Sequence, residues 1–243
     1  MMPEQLAFTI EVFMNGLMAG VLYALVALGF VLIYKASGIF NYAQGVMALF
    51  AALTLVGIID GQVPFSHLIN AILGTEVHHF GWHVPAFLAI VLTMIVMIVL
   101  AYCVQRFVFR YLVGQEPIIL FMATIGLAYF LEGVGDLMWG SEIKTLDVGL
   151  PQGINVWIDE FTFEATGYGF FIDNLDIVAS IVAAILVIGL VMFAQYTKQG
   201  RAMRAVADDH QAALSVGVSL NFIWILVWSL AGFVALVAGI MWG

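Results

Sequence analysis

The polar residues between Lys35 and Gly45 are the first candidates for chemistry in this sequence. They read Lys-Ala-Ser-Gly-Ile-Phe-Asn-Tyr-Ala-Gln-Gly, and the next apolar run is shorter than the roughly 20 residues that a full membrane crossing needs. Transporters build binding sites from such glycine-punctuated breaks beside short helices. The alternative is a cytoplasmic turn in which Asn41 caps the following helix. The transporter interpretation predicts a translocation route lined by Asn41, Tyr42, Gln44 and Gly45.

Two pairs of polar residues recur at helical spacing inside apolar runs. Glu11 lies four residues before Asn15, and Glu132 lies four residues before Asp136. Acids inside a membrane are functional candidates because their burial is costly. Glu132 lies roughly 10 Å from the outer end of its run at 1.5 Å per residue, and Glu11 is similarly near an end. We therefore expect both acids at the level of the lipid headgroups, and we keep Asn15 as a pathway candidate.

Residues for enzyme or metal chemistry are scarce. His78, His79 and His83 cluster, and two of them have the i, i+4 spacing of helical metal ligands, but a third ligand is not evident. Cys103 is the single cysteine, which excludes a disulfide framework. The sequence contains no nucleophile elbow, zinc-protease helix or phosphate-binding loop. We expect no enzyme activity, no catalytic residue, no metal and no cofactor of the chain's own.

The elements that position these residues are membrane helices. Of the 243 residues, 64% are hydrophobic and 9% are charged, whereas soluble proteins have about 25% charged residues. The apolar runs are continuous and lack the alternation of barrel strands. We predict one all-α polytopic transmembrane domain over residues 1–243, incomplete at its C-terminus. Its six spans are Leu6 to Tyr34, Ala43 to Ile59, Val84 to Gln105, Pro117 to Trp139, Ile177 to Gln195 and Leu220 to Gly243.

The basic residues predict the orientation of the spans. Six of the seven follow the first, third and fifth spans, and only Lys144 lies elsewhere. The positive-inside rule then places these connections in the cytoplasm and the N-terminus outside. The outer connections are acidic and account for most of the net charge of −9. The sequence has no basic patch for nucleic acid. The six inner basic residues are Lys35, Arg106, Arg110, Lys198, Arg201 and Arg204.

Small residues recur every fourth position in the first and last spans. Such stripes allow another helix to approach closely, so we expect helix packing there, or alternatively a surface that slides during function. The stripe residues are Gly16, Gly20 and Ala24 in the first span and Ala231, Ala235 and Gly239 in the last.

The third inner connection, residues 198–217, has apolar and small residues at helical spacing and ends at a glycine. This pattern predicts a short amphipathic helix with a small-residue face for docking. Arg201 and Arg204 on its other side can meet lipid phosphates or acidic groups of a partner. A helix that only rests on anionic lipid remains the alternative.

Several motifs follow one another along nearly the whole chain. They are Asn15-Gly16 with Gly20, Tyr23-Ala24-Leu25, Gly29-Phe30, Asn41-Tyr42-Ala43-Gln44-Gly45, Ala123-Thr124-Ile125-Gly126-Leu127, and Gly200-Arg201-Ala202 through Asp208 to Gly217. Taken in this order, they resemble the permease subunits of ATP-binding-cassette importers for branched-chain and other hydrophobic amino acids, including the related urea and amide permeases. Family members usually continue through further spans, and relatives often carry His and Glu where this chain has Gln44 and Val46.

The resemblance implies a role for the third inner connection. It is similar to the coupling segment that seats in a cleft of the ATPase subunit. The coupling role would fall on Arg201, Arg204, Asp208, Asp209, Ala212 and Gly217.

The resemblance also implies an import complex in a bacterial inner membrane. Its parts would be partner ATPase subunits that use the ATP, a second permease subunit, an extracytoplasmic solute-binding protein and membrane lipid. The substrate would be a branched-chain or other hydrophobic amino acid, or alternatively urea or a short amide. Two readings from other classes stay open, namely a secondary carrier or channel without an ATPase, and a scaffold subunit without a pathway.

Overall fold

The computed structural model of the chain describes residues 4–74, 81, 83–112 and 115–242. These residues form helices and one isolated β-bridge between Ile154 and Asp173. The helices are α1 (Glu4–Ser37), α2 (Gln44–Ile59), α3 (Ser66–Leu73), α4 (Ala86–Phe107), a 3-10 turn (Phe109–Leu112), α5 (Pro117–Trp139), α6 (Val156–Thr166), α7 (Asn174–Tyr196), α8 (Lys198–Asp208), α9 (His210–Ser215) and α10 (Leu220–Trp242).

The predicted all-α polytopic fold is confirmed. Five of the described helices, α1, α4, α5, α7 and α10, are long and apolar enough to cross a membrane. The remaining predicted span, Ala43 to Ile59, corresponds to α2, which has 16 residues. At 1.5 Å per residue α2 is about 24 Å long, shorter than the roughly 30 Å of a hydrocarbon core.

α1 ends at a glycine, and the chain then leaves the helix. Gly38 has φ +69°, a conformation that glycine adopts without steric cost, and its N–H donates to the Tyr34 carbonyl at 2.8 Å. Residues 38–41 are irregular and residues 42–43 form a turn before α2. The first polar break predicted from the sequence is therefore a short non-helical segment, which we call the break segment (residues 38–43).

α10 lies at the centre of the bundle. It packs against α1, α2 and α4, and Trp228, Ala231 and Ala235 on it are fully buried. Trp228 stacks on Phe109 with ring centroids 4.7 Å apart. Gly239 lets α2 approach closely, because a Cβ there would lie 2.6 Å from the Ala48 carbonyl oxygen. The predicted small-residue stripe of the last span thus lies in the core.

The small-residue stripe of the first span lies on the surface, unlike the stripe on α10. Gly16, Gly20 and Ala24 are exposed, and a Cβ added to either glycine would meet no described atom within 4 Å. The prediction that these residues pack against another helix is not fulfilled within the described part of this chain. The reason is that the neighbours of α1 contact its other faces. Most large exposed side chains on α1, α4, α5 and α7 are also apolar, as expected for surfaces that face lipid or another subunit.

We call the end of the bundle that carries the acidic connections the acidic end. A loop at this end, which includes Tyr168 and Phe171, forms hydrogen bonds with α1. Glu11 is 7% exposed, and its carboxylate accepts hydrogen bonds from the Tyr168 hydroxyl at 2.9 Å and the Phe171 N–H at 3.1 Å. Asn15 donates to the Phe171 carbonyl at 3.2 Å. Glu11 is therefore buried under a protein loop rather than exposed to headgroups as the sequence predicted, because the loop supplies donors that offset burial. Glu132 and Asp136 are exposed.

Lys144 stabilises the same end of the bundle. Its ammonium donates to the Gln62 side chain and to the Trp139 carbonyl, at the C-terminus of α5. Partial burial lowers the pKa of Lys144, while Asp60 and Glu142 act in the opposite direction. Lys144, the one basic residue that does not follow the first, third or fifth span, thus connects the ends of α2 and α5. His78 and His79 lie outside the described residues, and the described part of the chain contains no group of three potential metal ligands.

Candidate functional site: a cavity at the helix break

A cavity with a volume of about 670 Å³ adjoins the break segment. We call it the break cavity. Its wall is mainly apolar and aromatic, and Tyr23, Phe40 and Tyr42 keep about half or more of their surface exposed, so it opens at the side of the bundle. The cavity is lined by Tyr23, Val26, Ala27, Phe30, Phe40, Asn41, Tyr42, Gln44, Gly45, Ala48, Leu49, Ala52, Gly239 and Trp242.

The Thr124 hydroxyl fixes the break segment to α5. This side chain is fully buried, and its oxygen accepts a hydrogen bond from the Tyr42 N–H at 3.1 Å. The same hydroxyl has the carbonyls of Phe40 and Phe121 within donor reach, at 3.0 and 2.8 Å. Non-helical backbone inside a membrane protein needs such partners, because lipid provides none.

Two buried amides hold the other side of the segment. Asn41 and Gln44 are 1% and 2% exposed, and the Asn41 amide donates to the Gln44 carbonyl oxygen at 3.2 Å. Asn41 also accepts from the Ala43 N–H at 3.2 Å, which is a local turn bond rather than a cap on the third residue of α2. Gln44 in turn donates to the Ala231 carbonyl of α10 at 3.2 Å. The amides therefore join the break segment to the central helix.

Gly29 makes room for this arrangement. A Cβ at Gly29 would overlap the Gln44 side chain, whereas a Cβ at Gly45 would meet open space. The Gln44 side chain can thus pack directly against the backbone of α1, because Gly29 has no side chain. Gly45 instead leaves part of the cavity empty.

The structure brings together four of the five predicted pathway residues. Asn41, Tyr42, Gln44 and Gly45 all line the break cavity. Asn15 does not line it and instead binds the loop at the acidic end of α1. The sequence prediction included Asn15 in the pathway, but this residue lies about two turns of α1 before Tyr23, a residue that lines the cavity.

Sequence reasoning missed several residues of this site. Thr124 belonged to a motif but received no role, because one threonine inside an apolar helix is also common as a self-bonded side chain. Tyr23 and Trp242 form an edge contact across the cavity mouth, with ring centroids 5.2 Å apart. They are 219 residues apart in numbering (242 minus 23), so only tertiary packing brings them together.

The predicted coupling connection forms two helices rather than one. α8 ends at Asp208, and Asp209 then has extended backbone. Its carboxylate accepts from the Ala212 N–H at 3.1 Å, which starts α9 as an N-cap does. Gly217 has φ +85° and ends the connection.

The apolar face of this connection packs inward. Met203, Val206 and Ala213 are buried, and a Cβ at Gly200 would overlap the backbone of α7. The expected apolar docking face is therefore already covered by the chain's own bundle, because α8 contacts α1, α7 and α10. The exposed side carries all six predicted coupling residues, Arg201, Arg204, Asp208, Asp209, Ala212 and Gly217, with Leu214 and Val216.

The two arginines also have local roles. The Arg201 guanidinium donates to the Tyr196 carbonyl at 3.3 Å, and that of Arg204 donates to the Gln195 carbonyl at 3.5 Å. These carbonyls end α7, where cations are favourable. The arginines remain exposed, so they can also meet a partner.

Comparison with known proteins places these features in a family context. Residues 12–243 match the family described as "Branched-chain amino acid transport system / permease component". The chain is 26% identical to the high-affinity branched-chain amino acid transport system permease protein LivH of Escherichia coli K12, over 100% of this chain and 73% of that protein. It is 28% identical to the corresponding protein BraD of Pseudomonas aeruginosa PAO1, with the same coverage.

A third relative covers somewhat less of the chain. The probable permease LivH of Methanocaldococcus jannaschii is 27% identical over 90% of this chain and 61% of that protein. No solved structure matches the chain.

Proposed function

Since the chain belongs to the family of branched-chain amino acid transport system permease components, we propose that it is the permease subunit of an ATP-binding-cassette importer for branched-chain and other hydrophobic amino acids. The family match confirms the resemblance seen in the sequence. It also favours amino acids over urea or short amides, and a transport component over an enzyme.

The observation that carries this proposal is the break cavity. Its apolar wall suits an aliphatic side chain, whose full burial is worth about 1.5–3 kcal/mol. The polar groups of the break segment supply hydrogen-bonding capacity beside that wall. A site that is mostly apolar with a few placed polar groups is what a hydrophobic amino acid requires.

The partners of the proposed importer follow from the surfaces that the chain leaves open. A second permease subunit covers the side opening of the break cavity and the exposed stripe of Gly16, Gly20 and Ala24. ATPase subunits bind the exposed side of α8 and α9 and use the ATP, so the chain itself needs no cofactor. An extracytoplasmic solute-binding protein delivers substrate at the acidic end, and membrane lipid surrounds the rest.

The proposed location is the bacterial inner membrane, with multiple spans and the N-terminus outside. The support is the distribution of basic residues. Lys35 and Arg204 line one small cavity with residues of α7 and α8, so the basic residues of different connections gather at one end of the bundle. We call this the basic end and assign it to the cytoplasm.

Gly45→Leu tests the proposed pathway. The new side chain would enter the open space at Gly45, so insertion and assembly with the partner subunits should persist while uptake of radiolabelled leucine into proteoliposomes is abolished. Gly189→Leu is the matched control, because Gly189 on α7 also faces open space and does not line the cavity.

Two outcomes would contradict the proposal. Wild-type uptake by the Gly45→Leu complex would reduce the break segment to an ordinary turn. Uptake that persists without ATP would favour a secondary carrier or channel.

A further inference from the structure

Two cavities follow one another along the cleft between α1 and α7. The first, of about 270 Å³, begins at Ala24 on α1 and Ala183 on α7. The second, of about 110 Å³, lies at the basic end, and Val31 lines both of them. We call the two together the α1–α7 groove. Only Ala27 of its lining residues also lines the break cavity, so the groove is separate from the proposed pathway.

The α1–α7 groove has the length of one membrane leaflet. Eleven residues separate Ala24 from Lys35 on α1 (35 minus 24), and the same number separates Ala183 from Ala194 on α7 (194 minus 183). At 1.5 Å per residue the groove therefore runs for about 16 Å along both helices. Half of a hydrocarbon core is about 15 Å thick. Since Ala183 lies near the middle of α7 and Ala194 in its last turn, the groove extends from the middle of the bilayer to its surface.

The first cavity of the groove suits an acyl chain. Leu25 and Ala183 are buried in its floor, whereas Val31 and Val187 at its sides are 50% and 42% exposed. All the residues that line this cavity are apolar. Inside a bilayer, where the hydrophobic effect between apolar surfaces is absent, such a groove retains an occupant through van der Waals packing.

The second cavity of the groove carries two positive charges. Lys35 in the last turn of α1 and Arg204 on α8 both line it, and both are exposed. Among the described residues neither forms an ion pair, and no acidic residue lines the cavity. Arg204 donates to the Gln195 carbonyl through one nitrogen, and its other N–H groups can bind an anion. Asp208 and Asp209, the next acids along the chain, line neither cavity.

We propose that the α1–α7 groove binds one anionic phospholipid of the leaflet at the basic end. The phosphate of this lipid binds Lys35 and Arg204, and one acyl chain lies in the first cavity as far as Ala24. Basic pockets between membrane helices are typical sites for anionic headgroups. A zwitterionic headgroup fits less well, because its ammonium would meet two cations and no carboxylate.

The charges favour a lipid over a helix of another subunit as the occupant. A helix would have to bring an acidic side chain to the two cations, whereas an anionic phospholipid has its charge at the end of its acyl chains. Ala24 also belongs to the exposed stripe that the second permease subunit covers in the proposed importer. The lipid and that subunit then occupy successive parts of one face of α1. The inference does not rest on the transport function.

Native mass spectrometry of the purified full chain in detergent tests the proposal. Phosphatidylglycerol and phosphatidylcholine with identical acyl chains are compared at equal concentration. We expect phosphatidylglycerol to bind more tightly, by about fivefold for each of the two basic residues. Inorganic phosphate at the same concentration should not displace it, because phosphate alone makes no contact with the first cavity.

Matched variants locate the headgroup. Lys35→Gln and Arg204→Gln should each weaken phosphatidylglycerol binding about fivefold and leave phosphatidylcholine binding nearly unchanged. Lys198→Gln and Arg110→Gln are the controls, because both side chains are exposed and neither lines the groove. Thermal unfolding of each variant checks that the fold persists, as expected for substitutions at exposed positions.

A further pair of variants locates the acyl chain. Ala24→Phe places a large side chain at the start of the first cavity and should weaken phosphatidylglycerol binding without changing the charge of the groove. Ala184→Phe is its control, because Ala184 is an exposed alanine of α7 that does not line the groove.

Three outcomes would overturn the proposal. Equal binding of the two lipids would leave the groove to a helix of another subunit. Equal effects of the control variants and of Lys35→Gln and Arg204→Gln would show general attraction of lipid to the basic end. Unchanged binding in Ala24→Phe, or displacement by inorganic phosphate, would show that no acyl chain occupies the first cavity.

Discussion

At the scale of single residues, the Thr124 hydroxyl fixes one side of the break segment to α5. Thr124 is buried on α5 and contacts the backbone of both Phe40 and Tyr42. Thr93 on α4 is equally buried, but its hydroxyl donates to the Ala89 carbonyl of its own helix. Both threonines lie in apolar helices. Thr124 contacts the backbone of the break segment, whereas Thr93 contacts the backbone of its own helix.

We expect Thr124→Val to destabilise the chain by roughly 0.5–1.5 kcal/mol, because the Tyr42 N–H would lose the hydroxyl of α5 and keep the Phe40 carbonyl at 3.1 Å as its partner. Uptake should fall with it, and Thr124→Ser should retain both properties. Thermal unfolding in detergent and proteoliposome uptake measure the two effects. Thr93→Val is the matched control and should change little. Equal effects of the two valine variants would show that Thr124 has no special role in holding the break segment.

At the scale of elements, the α8–α9 connection has an inner and an outer side. The inner side is held by Met203 and Val206, and by Thr197, whose hydroxyl caps α8 by accepting from the Gly200 N–H at 2.9 Å. The outer side presents Ala212 and the exposed Leu214 and Val216 beside charged residues. A partner can therefore bind this connection without unfolding it.

Ala212→Leu should uncouple transport from ATP hydrolysis. The side chain is exposed, so the fold tolerates enlargement while a closely fitting ATPase surface does not. We expect insertion and subunit assembly to persist, and substrate with binding protein no longer to stimulate ATPase activity in reconstituted vesicles. Ala165→Leu, at an exposed alanine of α6, is the control.

The lipid alternative predicts a different pattern for the same connection. If α8 and α9 only rest on lipid, Ala212→Leu leaves stimulation unchanged. Arg201→Glu and Arg204→Glu would instead weaken membrane association by about 1 kcal/mol per charge.

At the scale of the whole molecule, α10 contributes to two separate cavities. It accepts the Gln44 hydrogen bond at Ala231 and contributes Gly239 and Trp242 to the break cavity. At its other end Asn221 and Trp224 line a separate cavity of about 300 Å³. Any tilt of α10 would therefore change both cavities together.

The orientation of the molecule can be tested by labelling. Single cysteines replace Glu160 in the acidic loops and Gln199 at the basic end, both of which are exposed, in a background where Cys103→Ala removes the native thiol. An impermeant thiol reagent added to intact cells should label the cysteine at 160 and not that at 199. The reverse pattern would place α8 and α9 outside and remove their role in coupling.

The sequence alone determined the class of this protein. Its apolar content and run lengths require membrane helices, because a chain with so few charged residues cannot cover a soluble surface. The polar residues from Asn41 to Gly45 also predicted the break segment. Non-helical backbone inside a bilayer is tolerated only where protein or water forms hydrogen bonds with it. These are local properties, and they can be read from neighbouring residues.

Tertiary structure decided which residues meet. Thr124 and Ala231 bind the break segment from helices far away in sequence, and Trp242 faces Tyr23 across the cavity. It also decided that Gly239 is packed while Gly20 is open, although both belong to stripes with the same spacing. The physical reason is that periodicity defines a helix face, whereas the neighbour of that face depends on how all the helices pack together.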